Sequence, residues 1–445
     1  MAMLVPSTLL AFDDTDSPEG MCTTHLAALV LEELSDYDLI GLPRLVRLNP
    51  NVPWKTRGNA AICMPLGRAS GSGRICGSLK GEPVRCHSKG RPGDPEDVLG
   101  QASKVLERVA RFDCAKTNPG IVASNQKPPP SLYWRTVRGI VPLADVEGIL
   151  RRGGAVWKKY KEGRGIIGAS AAMAWRPRDR TWEVITYRSP ERVGTPRTID
   201  PGSVIAMDRA TRWTFNNYDY ENDHVAIAPG SPCPILYGVR GDRAPELLRA
   251  RKMIKGEEPE SWLLFLTNQA TEDHVMERRI GSLEPWQSAR VRARVVERPK
   301  TIIGGHVIVR VSDGAEIDAA FYEPSRSFRE VARHLLPGDE VVLYGSVRDV
   351  PRSLNVEKML VNKLVLDFRK AHNPICKGCE KSMGSMGKDK GYRCKICGMR
   401  APLEAASFEV VPRKIRMGWY EPPVASRRHL HKPIRRMSRK DVDNL

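Results

Sequence analysis

The sequence predicts a multidomain α+β protein, and three observations carry that reading. At 445 residues the chain is too long for one ordinary domain and suggests two to four. It opens on a strand–loop–helix pattern with an acidic loop. Near its end, alternating short strands over residues 285–368 are followed by two C-x-x-C pairs. Hydrophobic residues make up 41% of the chain, enough for real cores and too many for a charged disordered protein.

"STLLAF" (7–12) reads as a short apolar strand, and "THLAALVLEEL" (24–34) places apolar residues at 26, 29, 30 and 34, the spacing of an amphipathic helix. The stretch between them, "DDTDSPEGMCTT", leaves the carboxyl end of the strand and enters the helix. There, unpaired N–H groups and the helix dipole favour anions. Thr23 or Thr24 fits an N-cap equally well, but capping leaves Asp13, Asp14 and Asp16 without a purpose. Three adjacent carboxylates repel one another unless a cation lies among them. Lys or Arg could serve, and a hard divalent ion such as Mg2+ does so through one or two carboxylates plus substrate phosphates. The chemistry predicted is phosphoryl transfer on a metal–nucleotide.

Further along, "WKTRGNAA" offers Lys55, Arg57 and Asn59 to phosphate oxygens, or places them in an ordinary loop. "GRGIIG" (163–168) matches G-x-G-x-x-G formally. It follows the basic run "WKKYKE" and no apolar strand, so a dinucleotide site is not expected, although Arg164 could still approach phosphate. "FNNYDYENDH" (215–224) gathers Asn216 and Asp219 among other acids, as a polar loop gripping a cation or as a surface turn. The Gly/Cys-rich segment 68–99 reads as a divergent loop, and Cys76, Cys86 and His87 lack a fourth metal ligand there.

In "ARVRARVVE", Val291, Ala293 and Val295 alternate with Arg290, Arg292 and Arg294. This is a half-buried strand with a basic face, solvated or bound to nucleic acid. Four more strands follow, with a helix between the third and fourth, the pattern of an OB-fold β-barrel. Cys376, Cys379, Cys394 and Cys397 form two knuckles separated by fourteen residues, a tetrahedral S4 site for structural Zn2+ with no open position for catalysis. From Arg413 to Lys440 the chain holds ten Lys/Arg against the single acid Glu421. That tail suits phosphate contact and base stacking, or a disordered end.

The net charge of +19 points to nucleic acid or an anionic surface as partner. No apolar run is long enough to span a membrane and the start is a poor signal peptide, so a cytoplasmic location is expected. The P-loop, the protein-kinase signature set and an S-G-G-x-D-S pyrophosphate loop are all missing from the sequence.

"DDTDSPEGMCTT", "LPRLVRLNPNVPWKTRGN", "KTNPG", "GRGIIGA", "TFNNYD", "CPILYGVRGD", "TNQATEDH" and "ASRRHLHKP" occur in this order along the chain. Together they resemble the archaeal tRNA-Ile 2-agmatinylcytidine synthetase (TiaS) family. The resemblance implies a kinase-like α/β catalytic domain (1–126 and 196–268), a ferredoxin-like domain (127–195), the OB-fold (285–368), a zinc ribbon (372–402) and a basic tail (413–445). It implies an ATP-dependent C–N ligase that attaches agmatine to C2 of the wobble cytidine of an isoleucine tRNA. The cytidine oxygen would be phosphorylated and ATP broken down to AMP. Thr23 would accept a second phosphate, and Asp13, Asp14 and Asp16 would bind Mg–ATP. Asp219, with Asn216, is expected to hold the agmatine guanidinium. Two other readings use the same motifs: a non-catalytic single-stranded nucleic-acid binder built on barrel and ribbon, and an adenylating tRNA modifier.

Overall fold

A computed structural model describes residues 4–437. A thirteen-stranded sheet forms its largest part, and strand Leu4–Asp13 lies between the antiparallel strands Ala60–Ala69 and Gly120–Gln126. Its side chains alternate between two cores, as the two-residue period of a strand demands. Leu10 and Phe12 join one cluster with helices Thr23–Glu33 and Pro95–Val109, while Leu9 and Ala11 join the other with helix Gly165–Ala174. Burial on both faces explains why that strand reads as a continuous apolar run. It also fixes Asp13, two residues beyond Ala11, on the Gly165–Ala174 side.

The segment expected as a divergent loop is ordered. Gly73–Leu79 and Glu82–His87 form a hairpin turning at Lys80 and Gly81, both with positive φ. The hairpin sits inside the large sheet, paired to Ser261–Thr267 on one side. Gly77 permits that approach, because a Cβ there would lie 2.5 Å from Leu263 Cδ2. Gly77, one of the glycines that disguise the strand pattern, is thus the one that lets the hairpin enter the sheet.

Strands Ser288–Val295, Val307–Ser312, Glu316–Phe321, Glu340–Arg348 and Ser353–Lys363 close a five-stranded barrel, with helix Ser327–Arg333 between the third and fourth. Of the expected inward face, Val291 and Val295 are buried in its core with Ala289, while Ala293 is only partly buried against it. The arginines on the other face are engaged: Arg290 and Arg292 with Glu277, Arg294 with Glu340.

The basic carboxyl-terminal stretch folds back as a strap as far as residue 437, and its last eight residues lie outside the described region. Arg413 pairs with Asp339, Gly418–Tyr420 adds to strand Ser353–Lys363, and Leu430 enters the second core of the large sheet. Arg436 pairs with Asp179 and Asp242. Several of its cations thus hold the strap to the body. Among the described residues no helix is long and apolar enough to cross a membrane.

Candidate active site

Asp13 ends its strand almost fully buried. Asp14 adopts positive φ, and its N–H donates to Asp13 Oδ1 at 2.7 Å. Helix Gly165–Ala174 lies directly on this turn: a Cβ at Gly168 would stand 1.8 Å from Asp13 Oδ2, and one at Gly165 would stand 2.6 Å from the Asp13 carbonyl oxygen. The glycines of "GRGIIG" therefore admit this chain's own carboxylate. The strand before them, Val156–Lys159, runs antiparallel to Gly120–Gln126, unlike the parallel strand of a dinucleotide fold.

Burial, then the charge of Asp14, holds the Asp13 carboxyl well above the usual range. Burial and the charge of Asp16 push Asp14 to about 6, against hydrogen bonds from Asn118. Neither carboxylate forms an ion pair among the described residues, whereas Asp16 accepts from Arg57 Nε at 2.8 Å. Asp13, Asp14 and Asp16 do not close on one point: among the described residues only the four cysteines bring three or more such ligands within 4.8 Å of one another. Two charge-starved carboxylates beside an open cavity suit a cation completed by phosphate oxygens.

That cavity, about 80 Å3, is lined by Asp13, Asp14, Asp16, Lys55, Arg57, Asn59 and Arg164. The fold thus gathers seven of the expected residues around one space. Among the described residues Lys55 donates only to the Pro50 carbonyl. Arg164 stacks 5.0 Å from the Trp54 ring. Asn59 bonds the Asn49 carbonyl at 3.0 Å, which shapes the loop.

A second cavity of about 440 Å3 adjoins it, and Asp16, Arg57, Gly58 and Ala60 belong to both walls. Thr23 and Asn216 line this larger space. Cys22 is the N-cap of helix Thr23–Glu33, without a side-chain capping bond, so neither threonine caps the helix. The Thr23 hydroxyl instead accepts from Thr15 at 3.2 Å. The strap closes this cavity with Arg427, Arg428 and His429.

Asp219 lines neither cavity. Its carboxylate accepts from the N–H groups of Glu221, Asn222 and Ala425 and from the Asn222 side chain, which hold it below its ordinary range despite burial. Asp219 thereby ties the acidic loop to the strap, while Asn216 Oδ1 accepts from Arg427 at 2.9 Å.

Arg47, Glu183, Gln269 and His429 escaped sequence reasoning. Glu183 is buried, accepting from Arg240 at 2.9 Å and from Gln269. Gln269 Oε1 in turn meets His429 Nδ1 at 3.1 Å. His429 opens to the cavity, and desolvation by the surrounding protein, then the charges of Arg47, Arg240 and Lys55, hold it well below the ordinary histidine range. Three of these residues lie within runs quoted above, "LPRLVRLNPNV", "TNQATEDH" and "ASRRHLHKP", but nothing in the runs themselves discloses that Arg47, Glu183 and His429 share a cavity with Gln269 buried behind it.

Toward the carboxyl end of the chain, Cys376, Cys379, Cys394 and Cys397 converge, with Cys376 and Cys397 sulfurs 3.5 Å apart. Backbone N–H groups of Cys397 and Ile396 lower the Cys394 thiol to about 6. A thiolate is thereby favoured where a zinc ligand needs one.

Residues 9–162 match the family model of the TiaS TCKD domain, residues 163–274 that of the TiaS FLD domain, and residues 373–415 that of the TiaS C-terminal zinc ribbon domain. The isoleucine-2 tRNA 2-agmatinylcytidine synthetase TiaS of Methanocaldococcus jannaschii is 39% identical, over 96% of this chain and 97% of its own length. The protein of the same name from Methanosarcina mazei is 38% identical over 98% of both. The structure is similar to the crystal structure of TiaS in complex with isoleucine-2 tRNA and ATP, with a TM-score of 0.82, 34% identity and 97% of both chains covered. It is similar also to the complex of TiaS with the same tRNA, AMPCPP and agmatine, with a TM-score of 0.80, 32% identity and the same coverage.

Proposed function

The chain belongs to the TiaS family of isoleucine-2 tRNA 2-agmatinylcytidine synthetases, and on that premise we propose that it attaches agmatine to C2 of the wobble cytidine of an isoleucine tRNA at the expense of ATP. One observation carries the reading here: two adjoining cavities share Asp16 and Arg57 in their common wall, with unpaired Asp13 and Asp14 on one side and the Thr23 hydroxyl on the other. A nucleotide's phosphates fit the first and their acceptors the second.

In this reading Asp13 and Asp14 would hold Mg2+, which when bound neutralises triphosphate charge. Lys55, Arg57 and Arg164 take phosphate oxygens, and Asn59 shapes their loop. Placing the phosphates at a boundary shared with the acceptor supplies the positioning on which phosphoryl transfer depends. Phosphorylated C2–O then leaves as phosphate when agmatine's amine attacks, and Thr23 receives a second phosphoryl group. We assign agmatine to the larger cavity, with Asn216 on its wall and Asp219 acting through the strap at Ala425. The sheet-bearing body acts as the kinase-like and ferredoxin-like units, and the barrel as an OB-fold presenting tRNA. The ribbon holds structural Zn2+, and the protein works in the cytoplasm with its tRNA.

A non-catalytic binder would have no use for two neighbouring carboxylates, Asp13 buried and Asp14 half-buried, that form no ion pair among the described residues. The deciding assay is nucleoside analysis of isoleucine-2 tRNA incubated with the protein, ATP and a panel of amines. Formation of 2-agmatinylcytidine with agmatine is expected. Unmodified tRNA, or pyrophosphate release with adenylated cytidine, would overturn the proposal.

A further inference from the structure

We propose that Arg47 is a catalytic residue of this site, its guanidinium hydrogen-bonding the oxygens of the phosphoryl group as that group crosses the boundary between the two cavities to its acceptor. The inference rests on the function proposed above and adds to it the group that stabilises the anion in flight.

Arg47 ends strand Arg44–Arg47, and its backbone is clamped on both sides by the buried Asn268: its N–H donates to Asn268 Oδ1 at 2.7 Å, and its carbonyl accepts from Asn268 Nδ2 at 2.8 Å. The guanidinium has no such partner. Nε is buried without a hydrogen bond, and among the described residues the terminal nitrogens make no hydrogen bond or ion pair. Both nearby carboxylates are engaged elsewhere, Glu183 with Arg240 and Gln269, and Asp16 with Arg57. Burial, and Arg240 beside it, lower Arg47 to about 10.

A half-buried guanidinium with a buried, unpartnered Nε and no anion beside it is costly to hold, so this one is built for an anion that arrives with substrate. Its position says which. Arg47 lines the larger cavity, and its NH1 lies 3.0 Å from where a Cβ of Gly58 would stand. Gly58 belongs to both walls and is the neighbour of Arg57. The point of approach is therefore the crossing between nucleotide and acceptor, left open by the missing side chain. During transfer the bond from the γ-phosphorus of ATP to the bridging oxygen of the leaving nucleoside diphosphate breaks, and its electron pair stays on that oxygen. Phosphorus forms its new bond to the cytidine oxygen. Charge on the phosphoryl oxygens during that passage is what a planar, forked cation stabilises.

A phosphodiester of the RNA backbone offers the same oxygens to Arg47, and the test separates the two sources. R47Q, R47K and R47A are compared with wild type in the full chain for melting temperature, Mg–ATP affinity, tRNA affinity and single-turnover transfer of labelled phosphate at saturating substrates. R47Q is expected to keep both affinities within about twofold and to lose about 100-fold in transfer rate, the scale of removing one preorganised donor. Added guanidinium should partly restore R47A, which a folding defect would not allow. Transfer by R47Q at the wild-type rate overturns the inference, as does a loss confined to tRNA affinity, which would assign Arg47 to the RNA backbone. A fall in Mg–ATP affinity that accounts for the whole defect overturns it too. Wild-type protein that transfers no phosphate overturns the proposed function itself, and the inference with it.

Discussion

Gly168 stands so close to Asp13 that a methyl added at 168 would overlap Asp13 Oδ2, and the carboxylate would have to move. The helix that carries Gly168 thus sets where the first carboxylate of the site can stand. Gly168→Ala is expected to displace Asp13, to cost about 1–3 kcal/mol of stability as overpacking does, and to weaken Mg–ATP binding by at least about tenfold. Thermal melts and nucleotide titration check both. A variant that binds Mg–ATP normally would show that Asp13 is not held for the nucleotide.

Asp14, with its carboxyl raised from 3.8 to about 6, holds its proton more tightly folded than unfolded. Its contribution to stability therefore declines as pH rises from about 4 through about 6, and divalent-ion binding improves over the same interval as the proton leaves. Asp14→Asn is expected to raise the stability of the ligand-free protein at pH 7.5 by up to about 2 kcal/mol and to abolish modification of tRNA. Melting curves across pH 4–8 and Mn2+ titrations follow both effects.

Asp219 binds the strap through Ala425 at 2.8 Å. Asp219→Ala should raise KM for agmatine by about tenfold, the loss of roughly one charged hydrogen bond, while KM for ATP stays near wild type. Hydrogen exchange over residues 422–429 should rise with it. An unchanged KM for agmatine would remove Asp219 from the account of that substrate.

The ribbon has a small buried core, built on Cys376, Met383, Tyr392, Cys394 and Ala406. So little apolar surface does not sustain a fold alone, and metal binding becomes its folding energy. Chelation is expected to unfold residues 373–401 and to reduce tRNA affinity, leaving Mg–ATP affinity of the body intact. Zinc content and tRNA binding measured together test this.

Periodicity made some elements readable from residues alone. The apolar run ending at Asp13, the helix from Thr23, the alternating strand at Val291 and the two cysteine knuckles all carry local patterns, and local patterns survive without tertiary context. The hairpin Gly73–His87 did not read as strand, because glycines chosen for close sheet contact carry no strand signal. The strap looked like a free basic tail because its counter-charges, Asp339, Asp179 and Asp242, lie far away in sequence. Arg47, Glu183 and His429 are likewise far apart along the chain, and only the sheet and strap bring them to one cavity. Asp219 stood out as an acid in an acidic loop, yet its hydrogen bonds are spent on closing that loop and holding the strap at Ala425.

The most direct test is a crystal structure with a non-hydrolysable ATP analogue and Mn2+, read by anomalous scattering. Triphosphate in the smaller cavity, with a manganese peak bound to Asp13 or Asp14 and Lys55, Arg57 and Arg164 around the phosphates, is the result expected. Nucleotide elsewhere, with Asp13 and Asp14 turned onto arginine or lysine as Asp16 is onto Arg57, would contradict the account.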